Sequence, residues 1–212
     1  MTTSTRFGFA AALLLAAGRS ERMGKPKLLL PWGRTSILGH LLEQWQQIGV
    51  GQIAVVCAKT DASLQQELDR LGVAAKDRIF NPAPERGMFS SIQSAARWRG
   101  WREEVTHVAI VLGDQPHLRR PTLESLLAFT ATRSAAICQP LYRRHRRHPV
   151  VMPRDYLVQA AVSHACDLKE FLASLPAAKE GCETDDPGLA LDIDRPEDYQ
   201  EALRKFGPVE KE

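Results

Sequence analysis

Short, unbroken apolar runs alternate along this chain with longer segments whose apolar residues recur every three or four positions. The run "GFAAALLLAA" at 8–17 has no polar break, as expected of a strand covered on both faces. "TSILGHLLEQWQQIG" then sets Ile37, Leu38, Leu41, Leu42, Trp45 and Ile48 at helical spacing and stops at Gly49. "QIAVVCA" predicts a second buried strand, and "DASLQQELDRLG" a second helix capped by Asp61 and ended by Gly72. "DRIFN" reads as a short strand, "GMFSSIQSAARWRGW" as the opening of a third helix, and "THVAIVLGDQP" as a strand broken at Gly113. Pro121 starts a further helix. Later, "AAICQPLY" and "HPVVMP" predict two strands joined by an arginine-rich turn. A short helix in "DLKEFLASL", a last strand in "GLALDI" and a closing helix in "RPEDYQEALRKFG" complete the chain.

Repeated strand–helix alternation predicts an α/β fold: three layers, a mostly parallel sheet with helices on both faces, and a small β-hairpin insertion. At 212 residues one domain is expected, placed at 7–206, with loose termini at 1–6 and 207–212. In such sheets ligands bind outside the carboxyl ends of the strands. Three segments converge there: the loop after "LLLAAG", the turn after "AIVLGD" and the end of "LALDID". The first carries cations and the other two carboxylates.

Taken alone, the first apolar run also fits the core of an export signal, with Arg6 before it and small residues after it. The residues downstream of Gly18 favour a retained first strand in a cytoplasmic protein. Arg19, Ser20, Glu21, Arg22, Gly24, Lys25 and Lys27 form a polar run, then Leu28–Pro31 resumes the apolar pattern. An apolar strand followed by a glycine-containing basic loop presents N–H groups and cations to a phosphate. Net charge is +3, and four of the positives are Arg143, Arg144, Arg146 and Arg147. That is one basic patch, which argues against a nucleic-acid binder. The four cysteines are widely and irregularly spaced, with no C-x-x-C pair to start a zinc site, and read as reduced thiols. No later segment reads as a membrane span.

Each candidate residue has a chemical and a plainer reading. Gly18 and Gly24 allow tight turns and close backbone approach, while Arg22 and Lys27 can neutralise phosphates. The spacing matches neither G-x-G-x-x-G nor a P-loop, and a solvated basic loop is the alternative. Asp114 follows a buried strand and emerges at the sheet rim, where a carboxylate opposite a phosphate loop can hold Mg²⁺; the alternative is an Asx turn. Asp192 and Asp194 point the same way if that segment stays extended. Glu197 makes Asp194 part of a capping box, so Asp194 goes mainly to capping and Asp192 to the metal. In "NPAPERGMFSSI", Gly87 and the N–H groups of Met88 to Ser91 line a groove, with Asn81 placed to bond a base or ribose; the alternative is a plain helix start.

"LLLAAGRSERMGKPKLLLPWGRTSILGHLL" resembles the opening of the nucleotidyltransferases related to molybdenum cofactor cytidylyltransferase and its guanylyltransferase relatives. Leu15, Ala16, Ala17, Gly18, Ser20, Arg22, Met23, Gly24, Lys27 and Pro31 fill that pattern. "GMFSSI", "LGDQPHL", "HPVVMPRDY" and "LDIDRPEDY" come next in the family's order, so the resemblance spans roughly 9–205. It implies a Rossmann-like nucleotidyltransferase fold and transfer of a nucleoside monophosphate to an acceptor phosphate, releasing pyrophosphate. On this resemblance Leu15 to Gly18, with Ser20, Gly24 and the Asn81, Gly87, Met88, Ser91 segment, would bind the nucleotide. Arg22 and Lys27 would bind its triphosphate and act with Asp114 in catalysis, and Asp114 with Asp192 would hold Mg²⁺. The implied acceptor is a phosphorylated pterin such as molybdopterin, and a molybdoenzyme or its chaperone is the implied protein partner. The alternatives are a non-catalytic nucleotide- or cofactor-binding protein on the same scaffold, or a guanylyltransferase or other small-molecule nucleotidyltransferase.

Two departures stand out. Arg147 occupies a position where the family usually has glycine, before His148 and Pro149, so either a tight approach to the acceptor is altered or Arg147 and His148 grip the acceptor. Arg195 stands where threonine is common, which moves the expected cap to Asp194. The guanylyltransferase branch tends to carry two glycines where Ala17 and Gly18 stand. The Ala17 methyl would crowd a purine, so CTP is preferred to GTP.

Overall fold

The computed structural model describes residues 5–18 and 20–208. Along the chain run β1 (Phe7–Leu15), a small ribbon of β2 (Pro31–Trp32) and β3 (Thr35–Ser36), α1 (Ile37–Ile48), β4 (Val50–Cys57), α2 (Ala62–Arg70) and β5 (Arg78–Phe80). Next come α3 (Met88–Arg97), β6 (His107–Leu112), α4 (Arg120–Ala131), β7 (Ile137–Tyr142), β8 (His145–Arg146) and β9 (Val150–Pro153). The remainder is α5 (Arg154–Gln159), α6 (Leu168–Ser174), β10 (Lys179–Glu183) and α7 (Pro196–Phe206). Among the described residues, eight strands make one sheet in the order β10-β7-β9-β6-β1-β4-β5, with β8 beside β7. β1 runs parallel to β4 and β6, β4 to β5, and β10 to β7. β9 runs antiparallel to both β6 and β7.

Central β1 explains its own composition. Ala10, Ala12 and Leu14 pack into one core with Leu38, Leu41 and Trp45 of α1, Leu64 of α2 and Leu126 of α4. Ala11 and Leu13 pack into the other with Phe89 and Ile92 of α3, Leu157 of α5 and Phe171 of α6. Both faces are covered, so neither position of the period-two repeat can be polar. The caps obey the local chemistry. Ser36 Oγ accepts from Gly39 N, Asp61 Oδ1 accepts from Leu64 N, and Gly49 takes the left-handed conformation at φ 82° that ends α1. The arrangement is the expected three-layer α/β/α fold with a mostly parallel sheet.

One expectation about the element order is corrected. "GLALDI" is no strand: Pro187–Ala190 is a single 3₁₀ turn and 191–194 are irregular. The outer parallel strand is instead β10, "KEGCE", a half-exposed edge strand whose charged residues carry no apolar signal. Among the described residues near the ends of the chain, Arg6 pairs with Glu124 at 3.4 Å, and Pro208 lies against Gly33. Residues 1–4, 209–212 and Arg19 lie outside the described residues. Among the described residues no helix is long and apolar enough to cross a membrane. The four cysteines are free thiols, with Cys57 and Cys138 buried in the core.

The arginine-rich turn is a two-residue hairpin between β7 and β8, with Arg143 at φ 48° and Arg144 at φ 66°. A two-residue hairpin with positive φ at both central positions normally favours Asn-Gly. Arg147 shows no positive φ, so nothing in the backbone there calls for the family's glycine.

Candidate functional site

β1 is flanked on one side by β4 and on the other by β6, so the chain's connections diverge at the carboxyl ends of β1 and β6. A crevice opens at such a switch point. Its floor is the continuation of β1: Ala16 N still donates to Val56 O at 2.8 Å, after which the chain turns away at exposed Gly18. The turning loop is fixed from within. Ser20, in the left-handed region at φ 52°, accepts at its Oγ from Lys27 N at 3.2 Å and at its carbonyl from Met23 N. Met23 is buried in the core shared with α1 and pins the loop to the body. Lys27 is thereby presented with only 15% of its side chain exposed.

Asp114 comes two residues after β6. The segment 188–194, the end of the 3₁₀ turn and the irregular stretch after it, reaches it through bonds that no strand pattern announces. Ile193 N donates to Asp114 O at 3.0 Å, and Gln115 Nε2 to Asp192 Oδ1 at 2.7 Å. His117 Nε2 donates to the carbonyls of Gly188 and Leu191 at 3.0 and 2.9 Å, with its ring stacked on Phe206. Burial holds the His117 pKa below the usual histidine value, so the neutral ring remains. Buried Asp186 accepts from Arg119 N, Thr122 Oγ1 and Gly188 N, fastening the same segment to the start of α4.

The three segments meet in one ion cluster. Lys27 Nζ lies 3.5 Å from Asp114 Oδ2 and 3.6 Å from Asp194 Oδ1, and an Arg22 guanidinium nitrogen lies 3.0 Å from Asp194 Oδ2. Burial pushes the Asp114 carboxyl above the ordinary carboxylate range; Lys27 opposes this, and Asp192 and Asp194 add to it. Asp114 Oδ1 is buried with no hydrogen-bond partner. The assignments of Asp192 and Asp194 therefore change. Asp198 caps α7, accepting from Arg195 N at 2.8 Å and Asp194 N at 3.1 Å. Asp194 is thus released to the cluster, while exposed Asp192 is held by Gln115 just outside it.

A cavity of about 470 Å³ sits over this cluster. Of the residues singled out in the sequence, Leu15, Ala16, Ala17, Gly18, Ser20, Arg22, Lys27, Gly87, Met88, Ser91 and Asp114 line it. Gly24, Asn81, Asp192, Arg147 and His148 do not. Gly24, at φ 66°, serves the turn of the loop. Asn81 is buried; its Nδ2 donates to Ser90 and Ser91 Oγ and its Oδ1 accepts from Ala83 N, so it shapes the 81–91 loop instead of facing a base. Arg147 and His148 belong farther along the sheet, where β9 begins. Sequence reasoning misses the roles of Asp194, Gln115 and His117; only the "GDQPH" spacing hints at the last two.

Gly87 opens α3 at φ 88°, ψ −179°, a region that glycine alone populates readily. Gly87→Ala is expected to destabilise the protein by about 1–3 kcal/mol and to shift Met88 and Ser91 on the cavity wall. Chemical denaturation measures the first effect and nucleotide titration the second; an unchanged midpoint would contradict the strain.

The cluster suits a divalent cation. Asp194 lies beside Asp114, Asp192 adds negative charge from just outside, Lys27 and Arg22 answer only part of the three charges, and Asp114 Oδ1 is an acceptor without a partner. Among the described residues no group of three or more His, Cys, Asp or Glu forms a ready ligand cage. One or two carboxylates completed by phosphate oxygens is the arrangement Mg²⁺ and similar hard cations take.

Comparison with known proteins bears on the fold and the family. The chain is 24% identical over 198 residues to molybdenum cofactor cytidylyltransferase of Escherichia coli K12, covering 93% of this chain and 97% of that protein. The crystal structure of a homologue of Mycobacterium tuberculosis Rv0371c, from Mycobacterium sp. strain JC1, superposes with a TM-score of 0.74 at 26% identity, covering 94% and 98% of the two chains. A structure of M. tuberculosis Rv0371c in complex with manganese gives 0.65 at 22% identity over 92% and 98%, a likeness of fold. The family model for the MobA-like NTP transferase domain matches residues 12–179. From the basic loop on β1 to the edge strand, then, this chain belongs to the MobA-like NTP transferase family of nucleotidyltransferases.

Proposed function

We propose that the protein transfers CMP from CTP, in preference to GMP from GTP, to a phosphate-bearing pterin such as molybdopterin, with Mg²⁺ as the divalent cation. The observation that carries this reading is Lys27, held between Asp114 and Asp194 at the rim of a cavity floored by Leu15–Gly18. The floor accommodates base and ribose, and the rim takes the triphosphate. Lys27 and Arg22 exchange their carboxylate partners for phosphate oxygens as nucleotide enters. An acceptor phosphate oxygen attacks the α-phosphorus, the α–β bridging bond breaks, and pyrophosphate leaves with the bond's electrons. The acceptor is ionised near neutral pH, so no side chain has to remove a proton. Charge on the departing pyrophosphate falls to Lys27 and Arg22. Asp114, with Asp194 or Asp192 beside it, would hold the cation, and the chemistry it would supply is Lewis-acid neutralisation of the phosphates. The Ala17 methyl lines the floor and narrows it, which supports a pyrimidine. The E. coli relative's cytidylyltransferase name points the same way.

Thermal-shift titration with ATP, GTP, CTP and UTP, with and without Mg²⁺, tests the nucleotide, since a selective ligand raises Tm with its concentration. CTP with Mg²⁺ is expected to stabilise most, and pyrophosphate is expected to appear when molybdopterin is added. A Cβ at Gly18 would meet nothing within 4 Å, and Gly18 has no positive φ. Gly18→Ala is therefore expected to keep the native Tm while weakening CTP. Stabilisation by no triphosphate, together with no pyrophosphate, would end this reading.

A further inference from the structure

A second cavity, of about 640 Å³, lies beyond Met88, which among the described residues is the one that lines both cavities. Its apolar floor includes Val150 of β9 and Leu168 and Leu172 of α6. Its charged lining is Arg146, Lys169 and Lys179 against one carboxylate, Asp167. That carboxylate is already engaged, since Asp167 Oδ1 accepts from Glu170 N at 2.8 Å. Two of the cations are positioned by backbone: Arg146 donates to the Lys179 carbonyl at 2.7 Å, and the Lys179 ammonium donates to the Leu175 carbonyl. His148 also lines this cavity. Its ring bonds the backbone at Ile110, while Nδ1 is buried without a partner.

None of these cations lines the first cavity, so none is placed to offset the phosphate that reacts beside Lys27. An apolar floor with an excess of fixed positive charge suits a ligand with an apolar body and an anionic end. We propose that the second cavity holds the body of the acceptor, and that Arg146, Lys169 and Lys179 recognise a further anionic group on it, remote from the reacting phosphate. His148 Nδ1 accepts a hydrogen bond from a donor on that body. This assignment rests on the nucleotidyl-transfer reading, but binding at the second cavity is measured without nucleotide.

Phenyl phosphate, benzyl alcohol and inorganic phosphate would be titrated into ¹⁵N-labelled protein, with amide shifts followed by NMR. Phenyl phosphate is expected to move the resonances of His148, Leu168 to Ala173 and Lys179. It should bind at least about tenfold tighter than either half-molecule, since each supplies only one of the two contacts. Exposed Lys169 can be changed without disturbing the core. Lys169→Glu is expected to weaken phenyl phosphate by about tenfold or more, and Lys169→Arg to retain it. Equal affinity for inorganic phosphate, shifts confined to Leu15–Gly18, or indifference to Lys169→Glu would each overturn the proposal. CTP shifts at Leu15–Gly18, read separately, should be the same in Lys169→Glu as in the native protein. Their absence from the native protein would count against the nucleotide reading and leave the second-cavity result intact.

Discussion

Asp114→Asn is expected to cut nucleotidyl transfer by at least about 10²–10³ and, in metal-free buffer, to raise the melting temperature. Both effects have one cause. The Asp114 carboxylate is held where burial and the neighbouring Asp192 and Asp194 disfavour its charge, and its Oδ1 has no partner. A folded-state pKa above the unfolded one means that the native state keeps the proton longer as pH rises. Below the unfolded value of about 3.9 the proton is on in both states; stability is then lost as pH climbs through the raised folded value. At neutral pH the charged group is a standing cost. Asparagine keeps the shape and removes the charge, so about 1 kcal/mol or more returns, or roughly 2–4 °C in a chain of this size. The same change removes the candidate cation ligand, and turnover should fall by at least about 10²–10³. Melting curves without and with Mg²⁺, alongside pyrophosphate release, measure both arms. Native protein should gain Tm with Mg²⁺ and the variant should not. A variant that turns over normally, or that melts lower than native protein without metal, would remove Asp114 from the centre of the site.

Lys27→Ala should fail differently. Lys27 is the principal group lowering the Asp114 pKa and, among the described residues, the cation that pairs with both Asp114 and Asp194. Without it the carboxylates repel one another, and the Asp114 folded pKa moves further up. The variant should therefore be less stable than native protein at neutral pH, by about 1 kcal/mol once partial exposure is allowed for. The deficit should vanish on acidification as the carboxylates protonate in both proteins. Transfer should fall by about 10²–10³, because charge on the leaving pyrophosphate loses its nearest counter-charge. Melting curves from about pH 4 to about pH 8 separate this from a packing defect, which would persist at every pH. Lys27→Arg, which keeps the charge, should recover most of the stability and part of the rate.

Legibility differs between the two sides of the site. The basic loop and Asp114 can be read because each adjoins a buried strand whose apolar run marks where the sheet ends. Asp194 reads as a helix cap because its neighbours Pro196 and Glu197 satisfy a local rule. Asp198 meets that capping need instead, and no short-range pattern could decide between them. Asn81 looks like a free polar group in a loop, but the turn needs its amide for Ser90, Ser91 and Ala83. The second cavity is invisible because its cations come from β8, α6 and β10, separated along the chain and joined only by sheet order.

By itself the sequence determined the alternation of strand and helix, the basic loop after the first strand and the rim position of Asp114. Each arises from solvent-driven periodicity and local capping, which act over a few residues. Only the tertiary structure decided which acidic residue meets Lys27 and which arginine faces a cavity. Those outcomes depend on bonds such as Gln115 to Asp192 and His117 to Leu191, across more than seventy residues of chain, where no repeat length records who the partner is.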